Sequence, residues 1–317
     1  LAKAVSASPK VKNLMQQLHA ALAVPAVVSM CLLAAVGLQG QSREHQMLVS
    51  VLDQDGTPVG GLGLSDFSID EDGNTREILR VSDAGAGRQI ALLVDTSQAA
   101  TRSLVEFRNG LTEFVEQMSD GNQISIITFG GPPRIQVSST RETSRLTDGI
   151  SNLFALPDQA AYMLDALDQT AEGFARQSAP RPLIVVLTTE GVDYSNTSAR
   201  RVLETIEESG AALYTLSLRV GRNAFSATPN ISALELRNQD FERDLILERG
   251  PRNSGGRHRD LLTALAINNA LQDIASELLN QYLIVYSRPD TLVPPETITL
   301  RMNRQELTVR GTSLRVE

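Results

Sequence analysis

The sequence feature that most restricts the fold is an apolar run that ends in polar residues. Ile90 to Val94 is uninterrupted by any polar side chain, and Asp95, Thr96 and Ser97 follow it directly. A short apolar run of this kind is typical of a strand that is buried on both faces of a parallel sheet. Ligands of open parallel sheets bind outside the carboxyl ends of the strands, so the pattern predicts polar groups at a binding edge.

Strands and helices alternate after residue 88, which predicts a parallel, doubly wound sheet. Apolar residues at helical spacing predict helices over 104–118, 146–153, 161–177, 197–209 and 261–279. Short apolar runs predict strands over 90–94, 124–129, 183–187, 211–220 and 282–286. Residues 42–86 are instead β-rich, and 297–302 with 306–309 predict a C-terminal β-hairpin with Asn303 and Arg304 at its turn.

These patterns divide the chain into segments. We expect a leader at 1–41, a β-rich segment at 42–86, an α/β domain at 87–287 and the C-terminal hairpin at 288–317. The α/β domain contains a polar surface insertion at 222–260, partly helical around 234–247. The two terminal β-segments are expected to pack together into a small β-sandwich, with the α/β domain inserted between them.

The N-terminal segment reads as a targeting signal. Lys10 and Lys12 precede Ala20 to Leu38, a run of 19 residues without charge, and Ala35-Val36-Gly37 near its end has small residues at the spacing that signal peptidase prefers. Such a run is typical of a cleaved signal peptide or of an uncleaved membrane anchor. Either interpretation places the rest of the chain outside the cytoplasm, as a secreted, periplasmic or membrane-anchored bacterial protein that meets the membrane only through this segment.

Charge and composition disfavour several functions. The net charge is −8, and without the three lysines of the leader it is about −11, which is unsuited to a nucleic-acid backbone. The lone cysteine is Cys31, and the histidines at 19, 45 and 258 are scattered, so neither a zinc cluster nor a Ser-His triad is indicated. An aspartyl phosphatase would need a lysine on a later loop, and residues 88–222 contain none.

Several segments resemble one known family. Leu93 to Ser97 resembles the metal-site strand of von Willebrand factor A (VWA) domains, and Leu187 to Asp193 resembles their third metal loop, T-D-G-x-D. Residues 51–73 resemble the β-module that precedes this domain in exported bacterial VWA-related proteins, and 279–282 resembles the final helix-to-strand junction. The resemblance implies a doubly wound, mostly parallel α/β sheet and a non-catalytic role in protein binding.

The family's metal-ion-dependent adhesion site combines D-x-S-x-S with a threonine and an aspartate from two further loops. Asp95 and Ser97 match the first motif, whereas Ala99 replaces its last serine, Ala161 replaces the threonine and Glu190 replaces the aspartate. The resemblance therefore implies a degenerate site of Asp95, Ser97 and Glu190 that binds Mg²⁺ or another divalent cation weakly. In a second interpretation, Asp95 and Ser97 are structural groups that satisfy backbone donors and cap the next helix.

Three functions remain open. The first is an adhesion module that binds a protein partner through the loops after Val94, Phe129 and Leu187, where Thr96, Gln98 and Asp193 are the expected contacts, and through the 222–260 insertion. The second is a metal-independent structural or assembly module that uses the edges of its β-sandwich. The third is an enzyme of unrecognised type. The arginines at 249, 252, 257 and 259 form either a solvated loop or a docking site for an acidic partner.

Overall fold

The computed structural model describes residues 42–219, 233–289, 295–304 and 306–314. The chain divides into two compact units, 1–43 with 289–293 and 44–288 with 294–317. The first unit contributes Ser42, Arg43 and Pro289 to the described residues, and the architecture below belongs to the second. The predicted leader at 1–41 and part of the predicted insertion, 220–232, lie outside the described residues.

Thirteen strands and six α-helices occupy the described residues. The strands are β1 (Ser42–Leu52), β2 (Phe67–Glu71), β3 (Asn74–Arg76), β4 (Ile78–Asp83), β5 (Gln89–Val94), β6 (Gln123–Thr128), β7 (Arg134–Thr140), β8 (Pro182–Thr189), β9 (Ala212–Leu218), β10 (His258–Leu261), β11 (Tyr282–Pro289), β12 (Ile298–Met302) and β13 (Thr308–Leu314). The helices are α1 (Leu104–Met118), α2 (Thr143–Ser151), α3 (Met163–Arg176), α4 (Ala199–Ser209), α5 (Ala233–Ser254) and α6 (Ala266–Leu279).

Six of the strands form the central sheet, in the order β10-β9-β8-β5-β6-β7. All neighbours pair in parallel except β7, which runs antiparallel to β6. The chain moves outward from β5 through β6 to β7 on one side, and from β8 through β9 to β10 on the other. The direction of winding therefore reverses between β5 and β8, and the predicted doubly wound α/β fold is confirmed.

The apolar run of β5 is divided between two cores because alternate side chains point to opposite faces of a sheet. Ile90, Leu92 and Val94 pack with α1, α2 and α6 on one face. Ala91 and Leu93 pack with α3, α4 and α5 on the other. All five side chains are fully buried, which explains why this strand shows no polar alternation in the sequence.

The remaining strands, from both ends of the described chain, form a β-sandwich. One sheet has the order β13-β1-β11-β4 and the other the order β12-β2-β3. Both contribute to one core, which includes Val49 from β1, Ile69 from β2 and Ile284 from β11. The chain leaves this sandwich after Asp83 and returns to it at Tyr282, so the central sheet is inserted between its two halves.

The predicted C-terminal hairpin is wrong. Within the described residues β12 pairs with β2 and β13 pairs with β1, so the two strands belong to different sheets of the sandwich. Strand β13 pairs with the longer strand β1 over seven residues, and β12 pairs with β2 over five.

The prediction of a polar surface insertion at 222–260 is also wrong for its described part. Helix α5 buries Ile246 and Leu247 in the core on one face of the sheet, and β10 adds a sixth strand. Two of the four arginines are held in ion pairs, Arg257 with Glu277 and Arg259 with Asp273. Among the described residues, no helix combines the length and the apolar character that a bilayer span requires.

A buried glutamate joins the central sheet to the sandwich. Glu277 on α6 is 1% exposed and accepts hydrogen bonds from the Tyr214 hydroxyl at 2.8 Å, Arg257 Nη2 at 3.1 Å and Arg310 Nη2 at 2.6 Å. Tyr214 lies on β9 and Arg310 on β13. Burial, followed by the charge of Glu277, raises the pKa of the Tyr214 phenol, so this hydroxyl remains a donor.

Candidate binding site at the sheet edge

The carboxyl ends of β5 and β8 border a hollow of about 520 Å³. It lies where the winding of the sheet reverses, which is the usual ligand position in open α/β sheets. We call it the rim hollow. Three segments supply most of its lining: Asp95, Ser97, Gln98 and Ala99 after β5; Asp158, Ala161 and Tyr162 before α3; and Thr189, Val192 and Tyr194 at the end of β8.

Asp95 forms the floor of the rim hollow and is completely buried. Its Oδ1 accepts the backbone N–H of Ser97 at 2.9 Å. Its Oδ2 accepts both the N–H of Thr189 at 3.0 Å and the Thr189 hydroxyl at 2.6 Å. The carboxylate therefore ties the end of β5 to the end of β8, and three protein donors compensate for its removal from water.

The loop after β5 is held by close backbone packing. Thr96 is buried, and its Oγ1 accepts the N–H of Gly130 at 3.2 Å. A Cβ on Gly130 would overlap the Thr96 carbonyl and the Ser97 nitrogen, so this approach requires glycine. The Thr96 carbonyl also accepts a hydrogen bond from the N–H of Leu156 at 2.8 Å. This bond positions the segment before α3 over the hollow.

The side chain of Ser97 does not stabilise the loop through a hydrogen bond to any described residue. The residue is 2% exposed and lines the rim hollow, yet within the described part of the chain its hydroxyl makes no hydrogen bond. Ser97 precedes the 3-10 turn at 98–102 without capping it through its side chain. The predicted structural role therefore fits the Asp95 carboxylate but not the Ser97 hydroxyl.

Asp193 performs a second structural task beside the hollow. Its Oδ2 accepts the N–H of Met163 at 2.7 Å, and its Oδ1 accepts the N–H of Ser195 at 2.9 Å, which fixes the start of α3. Burial raises the pKa of its carboxyl, against the opposing effect of these bonds and of Arg243. Of the three residues predicted to contact a partner, Thr96 and Asp193 are buried and Gln98 is exposed.

Glu190 is separated from Asp95 and Ser97. It lines a different hollow of about 280 Å³, together with Arg243 and His258, and not the rim hollow. Successive side chains of a strand alternate in direction, and at the end of β8 it is Thr189 that turns towards Asp95. Thr189 was missed in the sequence, because the family motif drew attention to the next residue.

The rim hollow does not fit a six-coordinate Mg²⁺ site. Three protein donors already occupy the Asp95 carboxylate, and Ala99 and Ala161 present methyl groups where the family has hydroxyls. Mg²⁺ requires near-octahedral oxygen ligands, which this set does not supply. Among the described residues there is no group of three or more His, Cys, Asp or Glu side chains placed to hold a metal ion.

An open, mostly parallel sheet with helices on both faces and a hollow where the winding reverses defines the doubly wound class of α/β domains. The sequence of the α/β domain shows the family to which this domain belongs. Residues 89–235 match the family model of the von Willebrand factor type A domain, so the chain carries a VWA domain, as its motifs predicted.

Three solved structures illustrate what the chain is similar to. An aerotolerance-related membrane protein from Bacteroides fragilis is 17% identical over 61% of this chain and 98% of its own, with a TM-score of 0.46. A von Willebrand factor type A protein from Catenulispora acidiphila is 11% identical over 88% of this chain and 67% of its own, with a TM-score of 0.47. A mussel byssus matrix protein with a zinc-occupied adhesion-site motif is 13% identical over 66% of this chain and 49% of its own, with a TM-score of 0.46. The search of curated proteins returned no significant match.

Proposed function

We propose that this chain is a non-catalytic protein-binding module that holds its partner at the rim hollow without a divalent cation. The observation that supports this most strongly is the state of Asp95. Its carboxylate is engaged by Ser97 and Thr189, so the group that would anchor a metal instead fastens two strand ends together. The resulting edge is rigid, concave and open to solvent, which suits recognition of another macromolecule.

The chemistry of the rim hollow also favours binding over catalysis. The described lining has no histidine, cysteine, lysine or arginine. Ser97 lacks a base, because Asp95 accepts the Ser97 backbone N–H and not its hydroxyl. An activated serine needs a neighbouring base within hydrogen-bond reach, and this arrangement does not provide one.

We further propose that the module acts outside the cytoplasm of a bacterial cell. The uncharged run at 20–38 after Lys10 and Lys12 supports export or anchoring. In this proposal, the described residues of 42–83 and 282–314 form a flanking sandwich module. The sequence predicts that 282–287 belong to the VWA domain, but β11 pairs with β4 and not with the central sheet. The residues between the two parts of the sandwich form the VWA domain that it presents to the partner.

Thermal unfolding of the full chain tests metal independence. We expect the Tm to be the same with Mg²⁺, Mn²⁺, Zn²⁺ or a chelator, because a ligand present at 100 times its Kd adds about 2.7 kcal/mol of stability and would be visible. The double variant Ala99→Ser with Ala161→Thr returns the two missing hydroxyls and serves as a comparison. A Tm increase with metal in the wild-type chain that Asp95→Asn removes would overturn the metal-free proposal.

Site-specific photo-crosslinking in the producing cells tests the surface. A photoreactive amino acid at Gln98 or Asp158, both exposed at the rim hollow, should form an adduct of one defined mass that a chelator does not abolish. The same amino acid at Gln169, exposed on α3, is the matched control and should form none. Equal adducts at all three positions, or none at the rim, would contradict the proposed surface.

One observation favours an assembly function as the alternative. Strands β12 and β13 are both edge strands, and Leu300 and Val309 from them line a groove of about 850 Å³ beside Leu203 of α4. Exposed strand edges can accept a partner's strand. A photoreactive amino acid at Thr299 that forms adducts while Gln98 and Asp158 do not would favour this second function.

A further inference from the structure

The described charged side chains that line the rim hollow are all acidic. Asp95 and Asp158 line it, whereas no basic side chain belongs to its described lining. Arg243, the buried cation on this side of the sheet, donates to the Thr189 carbonyl at 2.9 Å and to the Ser217 hydroxyl at 3.3 Å, and it lines the neighbouring 280 Å³ hollow. An occupant of the rim hollow therefore meets carboxylates that no lining cation neutralises.

The hollow also offers acceptors that lack a donor. Ser97 is 2% exposed as a residue, and in the described part of the chain its hydroxyl has no hydrogen-bond partner. Asp95 Oδ1 accepts one hydrogen bond, from the Ser97 N–H, although a carboxylate oxygen can accept two. Acceptors of nearly buried residues that border a hollow gain a hydrogen bond when an entering group donates to them.

Two aromatic side chains complete the lining. Tyr162 and Tyr194 both border the hollow. Burial, and after it the neighbouring Tyr162, raises the pKa of the Tyr194 phenol. The faces of tyrosine rings attract cations. The aromatic side chains therefore favour the same kind of occupant as the carboxylates and the unpartnered hydroxyl.

We propose that the rim hollow receives a lysine or arginine side chain of the partner protein. The inference rests on the proposed binding function and assigns the chemistry of the group that enters. A metal-loaded site would attract a carboxylate to complete the shell of the ion. Without the ion, an entering carboxylate faces Asp95 and Asp158 directly, and like charges brought together at an interface are strongly unfavourable.

Four pools of nonapeptides test this preference. Each pool has acetylated and amidated ends, randomised neutral flanks and a central Lys, Arg, Gln or Glu, and retention on the immobilised full chain is measured at low and high salt. The Lys and Arg pools should be retained several-fold more than the Gln pool, and the Glu pool less. The difference should shrink at high salt, because charge attraction at an open hollow is screened.

Variants locate the binding in the rim hollow. Ser97→Ala removes the unpartnered hydroxyl, keeps the backbone bond to Asp95 and should lower retention of the Lys and Arg pools about tenfold. Asp158→Asn suits the left-handed backbone at this position, where φ is 59°, and should lower retention up to about fivefold. Asp148→Asn removes the same charge from an exposed position on α2 and should change nothing.

A carbodiimide gives a second readout. The lysines of this chain are at positions 3, 10 and 12, so its own amines are few, and an adduct of the peptide is recognised by the added mass of the peptide. Activation of Asp158 and attack by the peptide amine form an amide and release the activator as its urea. Mass mapping should place the Lys-pool adduct at Asp158 and not at Asp148.

The outcomes separate this inference from the proposed function. Retention that does not distinguish the four pools, or that Ser97→Ala leaves unchanged, overturns the inference. If rim adducts still form in cells, the binding function then stands with a partner of other chemistry. Preferential retention of the Glu pool that requires added Mg²⁺ overturns both the inference and the metal-free proposal.

Discussion

At the scale of single residues, Asp95 and Thr189 determine the geometry of the rim hollow. The Thr189 hydroxyl donates to a fully buried carboxylate at 2.6 Å, and hydrogen bonds to charged groups contribute about 1.5–3 kcal/mol. Thr189→Val keeps the shape but removes this donor, so we expect the free energy of unfolding in urea to fall by that amount. Thr188→Val is the control: its hydroxyl contacts a neutral carbonyl at 3.3 Å, and its loss should be about 1 kcal/mol or less.

Gly130 is a second residue on which the hollow depends. Gly130→Ala would place a methyl group on the Thr96 carbonyl, and the backbone of the loop after β5 would have to shift. We expect at least about 2 kcal/mol of destabilisation, together with amide chemical-shift changes that spread from Thr96 to Ser97. Gly173→Ala on α3 meets no atom within 4 Å and should stabilise the helix by about 0.5–1 kcal/mol. Equal effects of the two substitutions would contradict this account of the loop.

Sequence reasoning identified the residues after β5 but not their counterparts across the hollow. Asp95 and Ser97 follow an apolar run whose end was easy to locate, so the structure places them together at the sheet edge. Glu190 was aligned to a family motif, and the strand at that point directs Thr189 inward and Glu190 towards the neighbouring hollow. A shift of one residue in the alignment of a strand moves each side chain to the opposite face, and a short motif does not determine the alignment to within one residue.

At the scale of elements, α5 shows that a polar sequence does not reliably predict an exposed segment. Its sequence is rich in charged residues, which favoured a solvated insertion, yet Ile246 is completely buried in the core on one face of the sheet. We expect Ile246→Ala to reduce the free energy of unfolding by about 2–5 kcal/mol, as for other buried aliphatic side chains. Phe241→Ala, on the same helix but 63% exposed, should change it by about 0.5 kcal/mol or less. Similar small values for both would indicate that α5 is a loosely attached surface segment.

The elements that were predicted and those that were missed differ in the number of apolar side chains that they bury. The strands β5 and β8 and the helix α1 have long apolar patterns, and their predicted bounds agree with the structure to within two residues. β10 is a four-residue edge strand with one buried side chain, Leu261, and β7 buries two of its seven residues. Edge strands carry too few apolar positions to produce a periodic signal, so they were absent from the sequence prediction.

At the scale of the whole molecule, a buried carboxylate and two partly buried arginines connect the VWA domain to the sandwich. Glu277 on α6 lies between Arg257 beside the central sheet and Arg310 on β13. The hydrophobic pattern predicted the strands of the central sheet that are buried, but it assigned 282–286 to the α/β domain, whereas β11 belongs to the sandwich. It did not predict the contacts of Glu277, because the residues that form them lie far apart in the sequence. Glu277 therefore couples the central sheet and the sandwich, which have separate apolar cores.

This coupling predicts that the two layers unfold together. Glu277→Ala leaves two arginines and the Tyr214 hydroxyl without their shared acceptor, and removing one partner of a buried ion pair costs about 3–5 kcal/mol. We expect hydrogen exchange of the Val49 amide in β1 and the Val185 amide in β8 to accelerate by the same factor, because both would exchange through global unfolding. Glu208→Ala, at an exposed position of α4, should alter neither rate. Acceleration confined to Val49 would instead mean that the sandwich opens independently, and that the VWA domain holds its rim hollow without it.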